Sequence, residues 1–394
     1  MMEPDDAARG ACTRREFLQE AGTALLASVS VPAAGRRSQP ARQLDVRAGE
    51  APTLIQGSDG RGHLAYELHL RSHGGDLQLE RVRVFGDRDL LVTYGPDELE
   101  RRTMRPEMER GVRYGRLVRD ETTAVLSVWL TVPDDRGRPG RLRHELYGAN
   151  ATTPVAGIEV TIQKREPLVL GPPFRQGLWL AHNGPGDHQA AHWGSMLVHG
   201  LAITVPQRYA IDFMGLDPNG RGVRRAVEGS VNSDWPGFGA DVIAVADSLV
   251  REVRDGIADN PPLFEPPPPR SVELSDTGGN YVVLDLGRNR FVHYAHLQQG
   301  SVAVRAGQRV RRGQLLGRLG NSGNTNGAHL HFNVMNGPRM SEDEGLPYVF
   351  DAVRARGATT PDSAFSDAPT PPGPAQNLRR ALPLTGAMVE FPHD

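Results

Sequence analysis

The sequence predicts a mostly β protein, with an N-terminal β-sandwich followed by a second, compact antiparallel β unit. Three observations support this fold class. Forty-five glycines and 31 prolines divide the 394 residues into short runs, polar and apolar residues alternate within those runs, and turn-forming sequences separate them. Alternation with a period of two is the pattern of a strand that buries one face. The length favours two or three domains.

Composition restricts the class of function. The formal net charge of -2 argues against a general nucleic-acid-binding protein. Cys12 is the only cysteine, so an intrachain disulfide and a cysteine-based zinc site are both excluded. Any metal must therefore be held by His, Asp or Glu. No uninterrupted run of about 18 apolar residues predicts a membrane span, so we expect none in the mature form.

Residues 1–34 resemble a twin-arginine signal peptide. The run Thr13-Arg14-Arg15-Glu16-Phe17-Leu18-Gln19 precedes an apolar run from Ala21 to Val31, and Pro32-Ala33-Ala34 offers small residues for cleavage. An arginine pair before an amphipathic helix is the simpler interpretation, but the order of the features favours export. We expect a periplasmic, extracellular or cell-wall-associated protein in which residues 35–53 form a flexible lead-in.

Residues 54–166 form the predicted sandwich. Leu64, Tyr66, Leu68 and Leu70 alternate with polar positions, and residues 124–132 make a more continuous apolar strand. Catalytic residue types do not gather here, so a scaffold or binding module is expected, and the sequence indicates no ligand for it.

Residues 167–177 predict a linker to a second domain at residues 178–353. That domain contains a proline-rich insertion at residues 261–269, which predicts a polyproline surface loop. Residues 354–394 are rich in Pro, Ala and Ser, and they predict an extended tail that pairs one last strand at residues 387–391.

The second domain contains a closely spaced histidine pair. The run Gly327-Ala328-His329-Leu330-His331-Phe332-Asn333-Val334 predicts a strand on which His329 and His331 share one face. Two imidazoles at neighbouring same-face positions can serve one metal, or a metal and its water. Without further context, two exposed strand histidines would be the simpler interpretation.

Upstream motifs supply that context. His293-Tyr294-Ala295-His296-Leu297 contains a Tyr-x-His-Leu strand, and residues 304–314 carry the hairpin pattern Val-x-x-Gly-Gln-x-Val-x-x-Gly-Gln. Followed by Gly-x-His-Leu-His-Phe, these motifs resemble the lysostaphin-type (LytM-like) zinc metalloendopeptidases, over roughly residues 205–340. The resemblance implies a compact antiparallel β peptidase domain that uses Zn²⁺. The usual substrate of the family is bacterial cell-wall peptide.

The resemblance implies a role for each matching residue. Asp212 and His331 match zinc ligands, His329 matches the histidine that orients or deprotonates the attacking water, and His296 matches the second catalytic histidine. Zinc lowers the pKa of bound water to about 7 and polarises the scissile carbonyl. The family's first ligand is a histidine four residues before the aspartate. Arg208 occupies that position here and has no lone pair for a metal.

Another histidine must complete the site, or the metal is bound weakly or not at all. We predict His192 as the ligand. The segment from Trp179 to His192 resembles the start of a branch of exported relatives that carry Gln-Arg-Tyr-Ala-Ile-Asp in place of the usual histidine-containing run, with a histidine after a Trp…Asn-Gly-Pro segment. His182, His188 and His199 are alternatives, and a solvated loop histidine is the competing interpretation of His192.

Three functions follow from these observations. The first is an exported zinc endopeptidase acting on peptide bonds in peptidoglycan stem peptides or cross-bridges. The second is a catalytically degenerate relative that binds cell wall or regulates a partner hydrolase, which Arg208 favours and the intact histidines oppose. The third is a lipoyl or biotinyl carrier domain, whose hairpin has similar spacing. Such a carrier needs a hairpin lysine, and Lys164 is the only lysine in the chain, so the third function is excluded.

Overall fold

The computed structural model describes residues 43–107, 111–133, 137–149, 153–186, 192–193, 195–199, 202–224, 226–263, 277–340 and 342–392. Within these ranges the protein is mostly β and most strand pairs are antiparallel, which confirms the predicted fold class. The export signal and most of the proline-rich insertion lie outside the described residues. None of the helices in the described ranges is long and apolar enough to cross a membrane.

Two packed sheets and one short helix form the N-terminal half. Its elements are β1 (Gln43–Ala48), β2 (Ile55–Gly57), β3 (Gly62–His73), β4 (Leu77–Gly86), β5 (Asp89–Tyr94), α1 (Pro96–Arg102), β6 (Thr103–Glu107), β7 (Gly111–Tyr114), β8 (Leu117–Val118), β9 (Thr123–Val132), β10 (Arg141–Gly148) and β11 (Val155–Thr161). β3 pairs with β9 along most of its length, and β4 pairs with β5 and β10 in the facing sheet. The predicted alternation is present, because Leu64, Tyr66, Leu68 and Leu70 are all fully buried between the sheets.

The expected flexible lead-in at residues 35–53 is wrong for its described part. Residues 43–48 form β1, which pairs antiparallel with the end of β3. Leu44 and Val46 alternate with polar neighbours and are buried in the sandwich core. The short strand escaped prediction because only two apolar residues mark it.

The second half adds further strands, two short helical turns and the C-terminal segment. Its elements are β12 (Leu168–Leu170), β13 (Leu178–His182), β14 (Leu197–His199), β15 (Ala202–Thr204), β16 (Ile211–Leu216), a 3₁₀ turn (Asn232–Asp234), β17 (Asp241–Ile243), β18 (Ser248–Arg254), β19 (Asn280–Asp285), β20 (Phe291–Leu297), β21 (Arg309–Val310), β22 (Leu315–Arg318), β23 (Leu330–Met335), β24 (Tyr348–Ala358), α2 (Pro361–Ala364), β25 (Gln376–Leu382) and β26 (Ala387–Glu390).

One hydrogen-bonded sheet runs through both halves. From the sandwich it passes through β3, β2, β25, β24, β26 and β13. It then continues through β16, β23, β20, β19, β18 and β21. The strands of the second half are therefore built directly onto the sandwich by backbone pairing.

The predicted linker and extended tail are corrected by this sheet. In the linker, β12 pairs in parallel with β24, and Phe174 is fully buried and stacks on Trp179 with ring centroids 3.6 Å apart. In the tail, β25 and β26 pair with β24, and Val389 is fully buried. The predicted last strand at residues 387–391 is found at residues 387–390. Prolines mark the turns between these strands and do not exclude strand pairing.

Candidate metal centre

Asp212 and His331 lie opposite each other on two neighbouring strands. The antiparallel register of β16 and β23 pairs their Cα atoms directly. Because side chains alternate along a strand, the neighbouring Phe213 and Phe332 point into the core, and Asp212 and His331 point away from it. His331 Nδ1 lies 2.9 Å from Asp212 Oδ1. His331 Nε2 is buried and has no hydrogen-bond partner among the described residues.

His192 approaches the same carboxylate. Its Nδ1 donates to the backbone carbonyl of Asn183 at 2.9 Å, so in the neutral ring the Nε2 lone pair is free. That Nε2 lies 3.3 Å from Asp212 Oδ2. Candidate ligand atoms of His192, Asp212 and His331 all lie within 4.8 Å of one another. Two imidazoles and one carboxylate are a donor set that suits catalytic zinc, so the residues present fit such an ion.

The other histidines considered for this position differ from His192. His182 lines the same cleft and its Cα partner in the sheet is Asp212, yet it is not part of the three-residue group found among the described residues. His188 lies outside the described residues. His199 ends β14, and only its backbone is described.

His329 and His296 lie beside the three grouped residues. His329 Nδ1 donates to the carbonyl of Gly327 at 2.8 Å, and its Nε2 lies 3.4 Å from Asp212 Oδ1. His296 Nδ1 donates to the carbonyl of Ser322 at 2.8 Å, and its ring centroid is 4.7 Å from that of His329. In their neutral forms both rings therefore carry an unprotonated Nε2, the nitrogen that can accept a proton.

The backbone at His296 is strained. Its φ is 63° although it lies within β20, and a non-glycine residue in the left-handed region costs on the order of 1–3 kcal/mol. The neighbouring hydrogen bond to Ser322 and the pairing of β20 with β23 hold this conformation. Strain of this kind is found preferentially at functional sites.

Charge and burial shift the pKa values of these groups in different directions. Burial opposes ionisation of Asp212, but His192 and His329 outweigh it and hold the pKa of that carboxyl well below its usual value. Burial also opposes the charged form of His329, but Asp212 outweighs it and raises the pKa of His329. Burial, reinforced by His329 and His331, holds the pKa of His296 well below its usual value. His329 is therefore the stronger base of the two neighbouring rings.

Arg208 points its guanidinium group into a buried cluster of carboxylates. Its Nε and one terminal nitrogen donate to Glu67 at 2.7 and 2.6 Å, and that terminal nitrogen also donates to Glu344. The other terminal nitrogen donates to the carbonyl of Gly345 at 3.2 Å. Glu67 belongs to β3 of the sandwich, so the residue that replaces the expected ligand joins the two halves. The sequence contained no signal for this partner, which lies 141 positions away.

The grouped histidines lie in a cleft of about 450 Å³. Its walls carry amide side chains, such as Asn183 and Gln207, and apolar side chains. One wall comes from the C-terminal segment, where Phe365 packs on Trp235 with ring centroids 5.2 Å apart. This contribution was missed because the tail was expected to be extended.

Comparison with known proteins finds a family match for part of the second half of the chain. Residues 236–342 match the model of Peptidase family M23. Over 57 residues the chain is 42% identical to the peptidoglycan DD-endopeptidase ShyA of Vibrio cholerae, and this stretch covers 14% of the chain and 13% of that relative. The peptidoglycan DD-endopeptidase ShyC of the same organism is 39% identical over 57 residues, with the same coverage. The chain therefore matches only a small part of the length of these relatives.

Two solved structures are also similar. The catalytic domain of lysostaphin from Staphylococcus simulans has 22% identity and a TM-score of 0.20, over 32% of this chain and 86% of that one. A zinc-containing peptidase from Vibrio cholerae has 14% identity and a TM-score of 0.25, over 78% of this chain and 86% of that one.

Proposed function

Given that residues 236–342 form a peptidase family M23 domain, we propose that the chain is an exported zinc metalloendopeptidase that hydrolyses peptide bonds in peptidoglycan. The observation that carries this proposal is the arrangement of His192, Asp212 and His331 beside His329 and His296 in one cleft. The peptidoglycan substrate is supported by the local identity to a relative named as a peptidoglycan DD-endopeptidase. Export is supported by the twin-arginine pattern at residues 13–19.

His192, Asp212 and His331 would hold the ion. Zinc at such a site supplies a Lewis acid that polarises a carbonyl oxygen and lowers the pKa of a coordinated water to about 7. The hydrogen bond from His192 Nδ1 to Asn183 fixes the ring tautomer, and Asn183 Nδ2 donates to Asp212 Oδ2 at 2.9 Å. Such outer hydrogen bonds hold ligands in the orientation that a metal needs.

His329 would accept the proton of the attacking water. Its Nε2 lies 3.4 Å from Asp212 Oδ1, so it is beside the carboxylate that would hold the ion, where a general base is needed. The bond to the Gly327 carbonyl keeps the proton on Nδ1 and leaves Nε2 to act. A side chain on Gly327 would disturb this arrangement, because a Cβ there would lie 2.6 Å from the Trp235 ring.

His296 would orient the water or the scissile group next to His329. The lowered pKa keeps its ring neutral, and the Ser322 carbonyl keeps its proton on Nδ1. Its Nε2 would then accept a hydrogen bond. The amide side chains of the cleft, including Asn183 and Gln207, are suited to hydrogen bonds with the backbone of a peptide substrate.

Arg208 does not count against a metal at this site. Its donors are used by Glu67, Glu344 and a backbone carbonyl, and it is not among the residues that line the cleft. The argument for a degenerate binding domain depended on the loss of a ligand at this position. His192 supplies a candidate ligand from elsewhere in the chain, which favours the active enzyme.

Zinc content and hydrolysis test the proposal together. Protein purified without added metal should contain about one zinc per chain, and it should release peptides from purified peptidoglycan, identified by mass spectrometry. His192→Ala should lose both properties. His182→Ala is the matched control, because His182 lines the same cleft and should retain zinc. Zinc-free wild-type protein would refute the proposal, and zinc-loaded protein that cleaves no peptide bond would favour the degenerate binding domain.

A further inference from the structure

The carboxylate of Glu67, in the sandwich, contacts two segments of the second half, one next to His192 and one just before Asp212. Glu67 lies on β3, and only 1% of its side chain is exposed. It accepts a hydrogen bond from Trp193 Nε1 at 2.9 Å. The same carboxylate accepts the two bonds from Arg208 at 2.7 and 2.6 Å, a paired arrangement that fixes orientation as well as charge.

These two partners are close in sequence to candidate ligands. Trp193 follows His192 directly, and Arg208 precedes Asp212 by four residues. Arg208 and Asp212 are thus connected by a short stretch that enters β16. The carboxylate of Glu67 therefore touches a neighbour of each of two candidate ligands, although it belongs to the other half of the molecule.

His192 depends on such an anchor because no helix or strand holds it. His192 and Trp193 are in a turn. Only 5% of Trp193 is exposed, and its ring packs edge-on against Trp129 of β9 with centroids 6.4 Å apart. Both the ring and the indole N–H of Trp193 are thus held by the sandwich. A ligand on irregular backbone is presented accurately only when its supporting side chains are fixed.

Arg208 fixes the stretch that connects Glu67 to Asp212. Only 5% of Arg208 is exposed, and it donates hydrogen bonds to Glu344 and to the Gly345 carbonyl as well as to Glu67. Glu344 in turn accepts a bond from the backbone N–H of Val205 at 3.0 Å. The stretch before β16 is therefore held at Val205 and at Arg208.

We propose that Glu67 is a positioning residue for the metal centre, so that the N-terminal sandwich sets the geometry of a site carried by the second half. It holds His192 through Trp193 and Asp212 through Arg208. This inference rests on the metal site of the proposed function. It assigns the sandwich a role in metal affinity in place of a separate binding module.

Two variants and a matched control test the inference. Glu67→Gln removes the charge that pairs with Arg208, and Trp193→Phe removes the indole donor while it keeps an aromatic ring at this position. Tyr66→Phe is the control, because Tyr66 is the adjacent fully buried residue of β3 and its hydroxyl bonds His144 Nε2 at 2.6 Å within the sandwich. The control disturbs the same strand without touching Trp193 or Arg208.

The zinc dissociation constant of the full chain is measured by competition with a chelating dye. Glu67→Gln and Trp193→Phe should each weaken zinc binding by roughly 10-fold, the lower end of the range found when direct partners of metal ligands are lost, because Glu67 acts through neighbours of the ligands. Both should also shift the visible absorption bands of the cobalt-substituted protein. Tyr66→Phe should leave the dissociation constant and the cobalt spectrum at their wild-type values.

The outcomes separate this inference from the proposed function. Wild-type zinc affinity and an unchanged cobalt spectrum in Glu67→Gln would overturn it. If Glu67→Gln does not fold, Trp193→Phe decides by the same two measurements. An equal loss of affinity in Tyr66→Phe would show general destabilisation and overturn it too. Wild-type protein that binds no zinc would overturn both proposals, whereas zinc binding without peptidoglycan hydrolysis would overturn the proposed function alone.

Discussion

Replacing Arg208 by histidine should destabilise the protein, although histidine is the residue that the family resemblance places at this position. The substitution leaves the carboxylates of Glu67 and Glu344 buried without their cation. Breaking a buried ion pair by removing one partner costs on the order of 3–5 kcal/mol. Burial already raises the pKa of Glu344, so that group can become neutral in the variant. Most of the destabilisation then comes from the unpaired carboxylate of Glu67. We expect the free energy of unfolding to fall by about 3 kcal/mol, the lower end of that range.

Urea denaturation at neutral pH measures this loss as the free energy of unfolding. Arg141→His is the matched control, because Arg141 pairs with Glu159 and the two side chains are 67% and 55% exposed. An exposed pair of this kind contributes about 0–1 kcal/mol. If Arg208→His costs no more than Arg141→His, the interpretation of Arg208 as a buried anchor is wrong.

Four further predictions concern the site, the sandwich and export. His331→Ala should lose zinc because it removes a proposed ligand, and full zinc occupancy on elemental analysis would contradict the assignment. His329→Ala should keep its zinc but lose on the order of 10²–10⁴-fold in kcat as a general base is removed; an unchanged kcat would exclude that role. Burial lowers the pKa of His144 to about 4 in the folded protein. As the pH falls, the unfolded state therefore binds the proton first, and the free energy of unfolding falls by about 3 kcal/mol in total between about pH 6.5 and about pH 4. His144→Gln should lack that part of the pH dependence in urea denaturation, and identical profiles would refute the argument. Changing Arg14 and Arg15 to lysine should leave the precursor in the cytoplasm on fractionation, and normal secretion would remove the twin-arginine assignment.

The parts of the fold that the sequence predicts are those where one face of a strand is buried. Leu64 and Leu68 alternate with polar residues and are fully buried, so the period of two was visible. β1 and β25 were harder, because they contain too few apolar residues to establish a period. β25 nevertheless pairs with both β2 and β24. Its position is decided by tertiary pairing and not by local sequence.

The candidate site also combines residues that the sequence predicts with contacts that it does not predict. His329 and His331 could be named because both belong to one sequence motif, although β23 begins at Leu330 and does not include His329, and Asp212 could be aligned with a short pattern. The hydrogen-bond partners of His296 and His192 could not be predicted, because the carbonyls of Ser322 and Asn183 carry no side-chain signature. Glu67 was missed for another reason. A single glutamate in an alternating strand has the appearance of a solvated residue, and only the distant Arg208 and Trp193 show why it is buried.

The buried pair of Arg208 and Glu67 also explains why an arginine can occupy this position at all. A guanidinium group stays charged, so it can be buried here only because a carboxylate is supplied nearby. Glu344 comes from the second half and Glu67 from the sandwich. Without the sandwich, Arg208 would lose its paired bonds and Trp193 would lose both its acceptor and the ring of Trp129. The arginine at position 208, the candidate ligand at position 192 and the sandwich are therefore physically linked features. The second half, which carries the proposed metal site, is therefore connected to the N-terminal sheet by backbone pairing as well as by these side chains.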